Sequence, residues 1–407
     1  MTDELAGLST GERIQTIRTR TGKSRAVVAG LLGHSADWLK KIEKGERKPP
    51  QVDKLIQIAE ILGCRDLSEL TGGAALPMGI GHRNGHPVVE DLRDAIESAF
   101  LVLPDGPEPV AAQLIERTDE LWRRWHDSPT PRAETGSALA QLIREGRRAV
   151  RVLDGPDRRD AYAALSGAYA LSEQVLAWVA DGALLRLAAD RCMDAAEQAD
   201  QPIALTAAAW VLGNVWRSTG REEEAVKLAD DGASLLSSRL DSGTDAERAL
   251  WGASRLHASI SLAKIGREGD ALRRLDDATR MAGKLPAGYT HPWTLYGVAN
   301  SAFTAVSVQV ELRRAGSALD HMAHLDPDDV PSLDRRARLW LETARAYRQR
   351  GDWMSTLHVL ERAASVSTES MQSHPLARGL AGELVTSGGR LVQKDARALA
   401  ARLGVTV

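Results

Sequence analysis

The 407-residue sequence predicts an all-α protein, and three observations carry that prediction. β-Branched and ring side chains are scarce, with aromatics at 4% of the chain, while Ala, Leu, Arg and Gly dominate, a balance that favours helices over strands. From Val88 onward the chain is a succession of helical stretches divided by Gly, Pro or Asp-rich breaks. Residues 14 to 47 carry the spacing of a helix-turn-helix.

The first element starts at Ser9-Thr-Gly-Glu12, a capping box. Ala29 and Gly33 lie four apart, and Leu39 and Ile42 follow six and nine after the glycine. Ala29 has to be small because the second helix of the pair crosses close above it. Gly33 supplies a tight turn in which a Cβ would be strained. Leu39 and Ile42, three apart, form the buried side of the second helix. Its opposite side carries Ser35, Ala36, Asp37, Lys40, Lys41 and Lys44, a short polar and cationic face suited to groove insertion. Trp38 is bulky for a groove-facing position. Residues 11 to 50 hold ten Lys or Arg against four Asp or Glu, a local charge of +6 in a chain of net −3. Phosphate affinity is thereby concentrated in one place.

This segment resembles the XRE/Cro family of phage-repressor-like DNA-binding domains. The matching residues are Ile17-Arg18, Ser24-Arg25, Ala29, Gly33, Ile42-Glu43-Lys44-Gly45, the Arg47-Lys48-Pro49 exit and a closing stretch from Leu55 to Leu62 before Gly63. The resemblance implies a five-helix DNA-binding domain over residues 8–71. It also implies that Ser35, Ala36, Asp37, Lys40 and Lys41 face the DNA. Lys41 would donate to a guanine edge and Asp37 would accept from cytosine N4. Arg25, Lys44 and Arg47 would bind phosphate and fix register. The family often has Gln where Arg25 stands, and the arginine keeps the capacity for phosphate.

Residues 72–87, with five glycines, read as a flexible linker. Helical stretches follow over 88–103 and 110–126, the second with Leu114, Leu121, Trp122 and Trp125 on its apolar side. Beyond about residue 135 a repeat recurs: a helix, a glycine turn, a second helix. Trp210 to Ala225, Leu256 to Ala271 and Leu341 to Thr356 are its clearest copies, and Gly182 and Gly316 mark weaker turns. Such hairpins cannot bury both faces alone and stack into an α-solenoid. The Gly-x-x-x-x-Ala step at Gly220/Ala225 and Gly266/Ala271 resembles a degenerate tetratricopeptide array, although the spacing drifts from the usual period; another α-solenoid is the alternative. The repeat unit is expected to span 88–407.

Asn214 and Asn300 sit within helices, where Asn is mildly unfavourable. Two readings compete. Either amide clamps an extended peptide backbone on a concave face, with Arg217 meeting a carboxylate on the same side, or each bonds a neighbouring helix. The tryptophans of the repeats fall mostly where helix pairs need bulk, and Trp293, beside His291-Pro292, is the best pocket candidate. Cys64 and Cys192 lack CxxC or His neighbours, so neither a metal nor another cofactor is expected. No Walker loop, GxSxG or HExxH occurs, which argues against an enzyme. No apolar leader or long apolar run is present, so a cytoplasmic location without membrane association is expected.

The whole reads as a sequence-specific transcriptional regulator that binds a double-stranded DNA operator as a homodimer. The arrangement is similar to peptide-pheromone-responsive regulators and to many actinobacterial regulators of this build. That resemblance implies an effector but does not identify it; a peptide or small molecule is expected, with Asn214, Arg217, Trp293 and Asn300 as the residues read above to bind it. A DNA-tethered interaction scaffold, or an antitoxin-like repressor of a partner protein, is the alternative.

Overall fold

A computed structural model describes residues 8–47, 50, 52–62, 64, 68–71, 86–99, 101–103 and 105–405. Within them the chain is helical throughout, and no strand occurs among the described residues. It divides into two compact units, the first built from residues up to 83, the second from 84–217 and 221–407. Of the expected linker, only His86 and Pro87 lie inside the described residues.

The first unit contains α1 (Thr10–Arg20), α2 (Arg25–Leu31), α3 (Ala36–Glu43), α4 (Val52–Leu62) and α5 (Ser68–Thr71). The capping box at its start is present: Glu12 N–H donates to Ser9 Oγ at 3.4 Å, and Ser9 N–H donates to Glu12 Oε2 at 2.8 Å. Ser24 and Ser35 cap α2 and α3 in the same manner, each accepting an amide at 3.2 Å. Between those helices Gly33 takes φ +75°. The amide of His34 reaches back to the Ala29 carbonyl at 2.8 Å, closing α2 with a Schellman turn. Ile14, Val28, Ala29, Leu39 and Ile58 are fully buried in one core shared by α1 to α4. Each aliphatic side chain so buried contributes ~1.5–3 kcal/mol of transfer free energy.

The second unit opens with α6 (Val88–Glu97), α7 (Ala111–Asp127), α8 (Pro131–Val152), α9 (Gly155–Leu176) and α10 (Gly182–Ala199). Hairpins follow: α11 (Pro202–Ser218) with α12 (Glu222–Ser237), α13 (Asp245–Lys264) with α14 (Glu268–Ala282), and α15 (Val298–Glu311) with α16 (Ala315–Ala323). The last hairpin is α17 (Leu333–Gln349) with α18 (Trp353–Val366), and α19 (Thr368–Ser373), α20 (Pro375–Ser387) and α21 (Gln393–Arg402) close the chain.

One turn geometry recurs through these hairpins. At positions 220, 266, 313 and 351 a residue with φ between +61° and +78° ends the first helix. The next amide then reaches back five residues: Arg221 to Trp216 O, Arg267 to Leu262 O, Arg314 to Gln309 O and Asp352 to Tyr347 O, at 2.9–3.0 Å. Five residues after each turn stands a fully buried small side chain: Ala225, Ala271, Ala318 or Thr356. Three of the turn residues are glycines, but the fourth is Arg313. Gly316, expected to mark that turn, lies inside α16, and Gly182 is the first residue of α10. The left-handed residue before α10 is Trp178, at φ +64°.

The array curves back on itself. α17 packs against α7, and α19 packs against α8. His126 at the end of α7 holds Ser332 Oγ at 3.2 Å and the Pro292 carbonyl at 3.1 Å. The Glu369 carboxylate accepts the amides of Arg132 and Ala133 at the start of α8, at 3.0 and 3.1 Å, and pairs with His86 at 3.1 Å. The helices of the second unit therefore enclose an interior that only side chains from several repeats can line.

Candidate nucleic-acid interface and repeat interior

On α3, Leu39, Ile42 and Glu43 are buried, while Ser35, Ala36, Asp37, Lys40, Lys41 and Lys44 are exposed, as is Arg47 beyond it. The exposed residues form one continuous outer face because α3 enters the core with a stripe spaced three apart. Lys41 Nζ and Asp37 Oδ2 pair at 2.8 Å one turn apart. That hydrogen bond holds the Asp37 carboxyl below its ordinary range and the Lys41 ammonium above its own. Ser35 Oγ is committed to the cap of α3 and retains its proton for donation. Trp38 lies half-buried against the core, with its ring stacked on His34 at 4.0 Å.

Arg25 is tied down. Its Nε donates to Glu43 Oε2 at 2.6 Å, while Arg18 donates to both oxygens of the same carboxylate at 2.5 and 3.2 Å. Glu43 is 1% exposed, so a buried anion is held between two guanidinium groups. Arg25 still exposes 35% of its side chain. Gly11 lets α1 approach the end of α3: a Cβ there would run into the Ile42 carbonyl oxygen and lie 3.3 Å from Glu43 Cα.

These contacts assemble the element that enters DNA in a whole class of proteins. Residues 10–70 match a family model described as a helix-turn-helix domain. The chain is therefore a helix-turn-helix region followed by an array of helical hairpins. No curated protein matches it. A solved structure of a Rap protein complexed with Competence and Sporulation Factor is similar over 90% of this chain and 99% of its own, at 12% identity and a TM-score of 0.41.

Within the repeats, Asn214 and Arg217 on α11 are brought together. Asn214 Oδ1 accepts from Arg217 Nη2 at 2.7 Å and faces His257 Nε2 of α13 at 3.1 Å. Glu173 of α9 belongs to the same group, since Asn214 and Arg217 both act to lower its carboxyl. Gly213 makes room for this contact, since a Cβ there would lie 2.7 Å from the His257 ring. Burial pushes the Glu173 carboxyl up to about 7, against the pull of Gln174, Asn214, Arg217 and Arg338. Burial, and then Arg217, hold His257 well below the ordinary histidine range. Asn300 is buried on α15, and its Oδ1 makes no hydrogen bond among the described residues.

Trp293 stands apart from that group. It stacks on Trp122 at 5.9 Å, donates from Nε1 to Asp119 at 3.3 Å, and presses its ring edge against Gly167 of α9. Its surroundings are the packing seam of α7 and α9.

Sequence reasoning missed most of the interior. Arg335, Arg338, Glu342 and Arg345 of α17 lie at intervals of three and four, so they form a polar stripe opposite the buried Ala337, Leu341 and Ala344. Arg345 pairs with Glu311 at 2.9 Å and Glu342 at 2.6 Å. Lys264 of α13 pairs with Glu222 at 3.8 Å. Arg335 lies over the Trp210 ring at 6.0 Å, and Arg338 over the Trp178 ring at 5.0 Å. The stripe itself was the available signal: Arg335, Arg338, Glu342 and Arg345 recur at helical spacing in the charge-rich α17. Both cysteines are buried and free, and burial pushes their thiols up to about 12.

Proposed function

We propose that this protein is a sequence-specific, DNA-binding transcriptional regulator that acts in the cytoplasm. The observation that carries this reading is the outer face of α3, exposed from Ser35 to Lys44 while its inner stripe is buried in a domain matching the helix-turn-helix family. Lys41 and Asp37 read base edges, exchanging their mutual pairing for guanine and cytosine groups. Arg25, Lys40, Lys44 and Arg47 bind phosphate. Two copies engage a two-fold operator, because one small domain makes few phosphate contacts and half-sites stand about one helical turn apart, ~34 Å. The repeats dimerise and sense a peptide or small molecule in their interior, around Asn214, Arg217 and Asn300. An effector that prefers one arrangement of the dimer by ~1–3 kcal/mol is enough to change operator occupancy.

The test is fluorescence anisotropy with DNA fragments recovered by genome-wide binding. The full chain is expected to bind a two-fold site with a steep salt dependence, and to bind a single half-site much more weakly. Equal affinity for both sites would remove the dimer, and an absence of sequence preference would remove the regulator.

A further inference from the structure

The cations inside the repeat unit are closely paired at one end and crowded together at the other. Around α13, α15 and the second half of α17, every cation named above has a carboxylate: Lys264 has Glu222, and Arg345 has both Glu311 and Glu342. Around α9, α11 and the first half of α17 three arginines converge instead. Arg338 bears on both Arg217 and Arg335, and Arg217 bears on Arg335. Their partners are weak. Arg217 donates Nη2 to the neutral amide of Asn214, and its Nη1 is buried with no hydrogen bond among the described residues. Arg335 has the face of Trp210. Arg338 has the face of Trp178 and a carboxylate, Asp334, at 4.0 Å. The anions that act on Arg217 are shared or buried: Glu222 and Glu311 already pair with Lys264 and Arg345, and Glu173 is 4% exposed, its carboxyl pushed up to about 7 by burial.

The aromatic partners are placed deliberately. Trp178 holds φ +64°, a conformation that costs a bulky residue of order 1–3 kcal/mol and that clusters at ligand-binding positions. Arg132 fixes it there, donating from Nε and Nη2 to the Val175 and Ala177 carbonyls at 3.0 and 3.1 Å. The ring then lies against Arg338 and against His374, the latter at 4.2 Å. Arg338 keeps 25% of its side chain accessible, so solvent reaches this end of the interior.

We propose that Arg217, Arg335 and Arg338 form an oxyanion site inside the repeats, and that the effector carries a carboxylate or phosphate beside a flat or apolar body that lies against Trp178 and Trp210. This deepens the sensor reading given above and rests on it for the consequence of binding, although not for binding itself. Forked guanidinium groups suit both oxyanions, since each offers paired donors to paired oxygens.

Three probes separate the possibilities: benzoate, phenyl phosphate and benzamide share a ring and differ in the anion. Binding to the full-length protein is read by quenching of tryptophan emission and by calorimetry. The expected result is that benzoate or phenyl phosphate binds at least tenfold more tightly than benzamide, and which of the two prevails names the anion. Arg217→Gln and Arg338→Gln each should weaken that anion at least tenfold and leave benzamide unchanged. Arg338→Lys, which keeps the charge, should weaken it less, and Arg362→Gln, an exposed arginine over Trp340, should change nothing. Helix content and melting are followed for each variant, and Arg338→Lys carries the comparison if a glutamine variant unfolds. Equal binding of all three probes, no binding of either anion, or unaltered anion binding by the variants overturns the site and leaves the sensor reading intact. Anion binding that never alters operator affinity supports the site and removes the sensor reading.

Discussion

Arg25 Nε lies 2.6 Å from Glu43 Oε2, on the carboxylate that Arg18 also holds. A residue expected to touch DNA is thus one side of a buried charge cluster that joins α1, α2 and α3. Arg25 is positioned before DNA arrives, and its remaining donors point from a fixed base rather than from a free side chain.

Glu43→Ala should leave two guanidinium groups facing a core without their anion. Loss of one partner from a buried pair costs ~3–5 kcal/mol. Hydrogen exchange of the α1 and α3 amides in the full chain should accelerate accordingly. Arg25→Ala leaves both Arg18 bonds in place and should cost ~1 kcal/mol or less, the range of a partly exposed pair. Equal protection in wild type and Glu43→Ala would show that the cluster contributes nothing to the domain.

Lys41→Ala should relax base preference, costing ~1–3 kcal/mol on the preferred operator only. Arg25→Ala should weaken all sequences alike and reduce the salt slope by about one unit. The readout is anisotropy on matched and mismatched fragments at several salt concentrations. Unchanged base preference in Lys41→Ala would mean that α3 does not present that side chain to the bases.

Gly11→Ala should destabilise the first unit, because the new methyl group meets backbone at Ile42 and Glu43 rather than a side chain that can turn away. Overpacking of this kind costs ~1–3 kcal/mol. DNA affinity should fall through loss of folded domain, with the salt slope unchanged. A full-affinity, fully protected variant would mean that α1 can move away from α3 at no cost.

Acid should weaken the second unit. His126 and His291 are buried, and burial pushes both down to about 4, with Arg335 acting further on His126 and His126 on His291. Unfolded histidine takes a proton near 6.5, whereas these two refuse it until pH falls to about 4. Their stabilising contribution is therefore complete above pH 6.5 and is lost as pH drops toward 4, at up to ~1.4 kcal/mol per unit for each. Burial acts on His257 and His374 in the same direction. Glu173, raised by burial to about 7, opposes them: its contribution is present at low pH and is lost as pH rises from 4.5 to 7. Several histidines outweigh one carboxyl, so the melting temperature should fall between pH 6.5 and 4.5. A flat profile across that window would contradict the buried, neutral state of these rings.

The sequence alone determined the helical class, the helix-turn-helix and most of the repeat turns. Each depends on residues close together in the chain: Ser24 and Ser35 cap their own helices, Gly33 bends its own turn, and Leu39 and Ile42 share one flank of one helix. Gly220, Gly266 and Gly351 were legible for the same reason, since glycine is the residue that enters φ > 0 without penalty. Arg313 was not, because an arginine in that conformation has no local signature and is held by the packing of α15 on α16. Tertiary structure alone decided the partners. The carboxylate of Glu43 meets Arg18 and Arg25 across three helices, and Arg338 meets Trp178 across the turn of the whole array. That turn is the sum of small rotations from one repeat to the next, and no spacing within a single repeat encodes it.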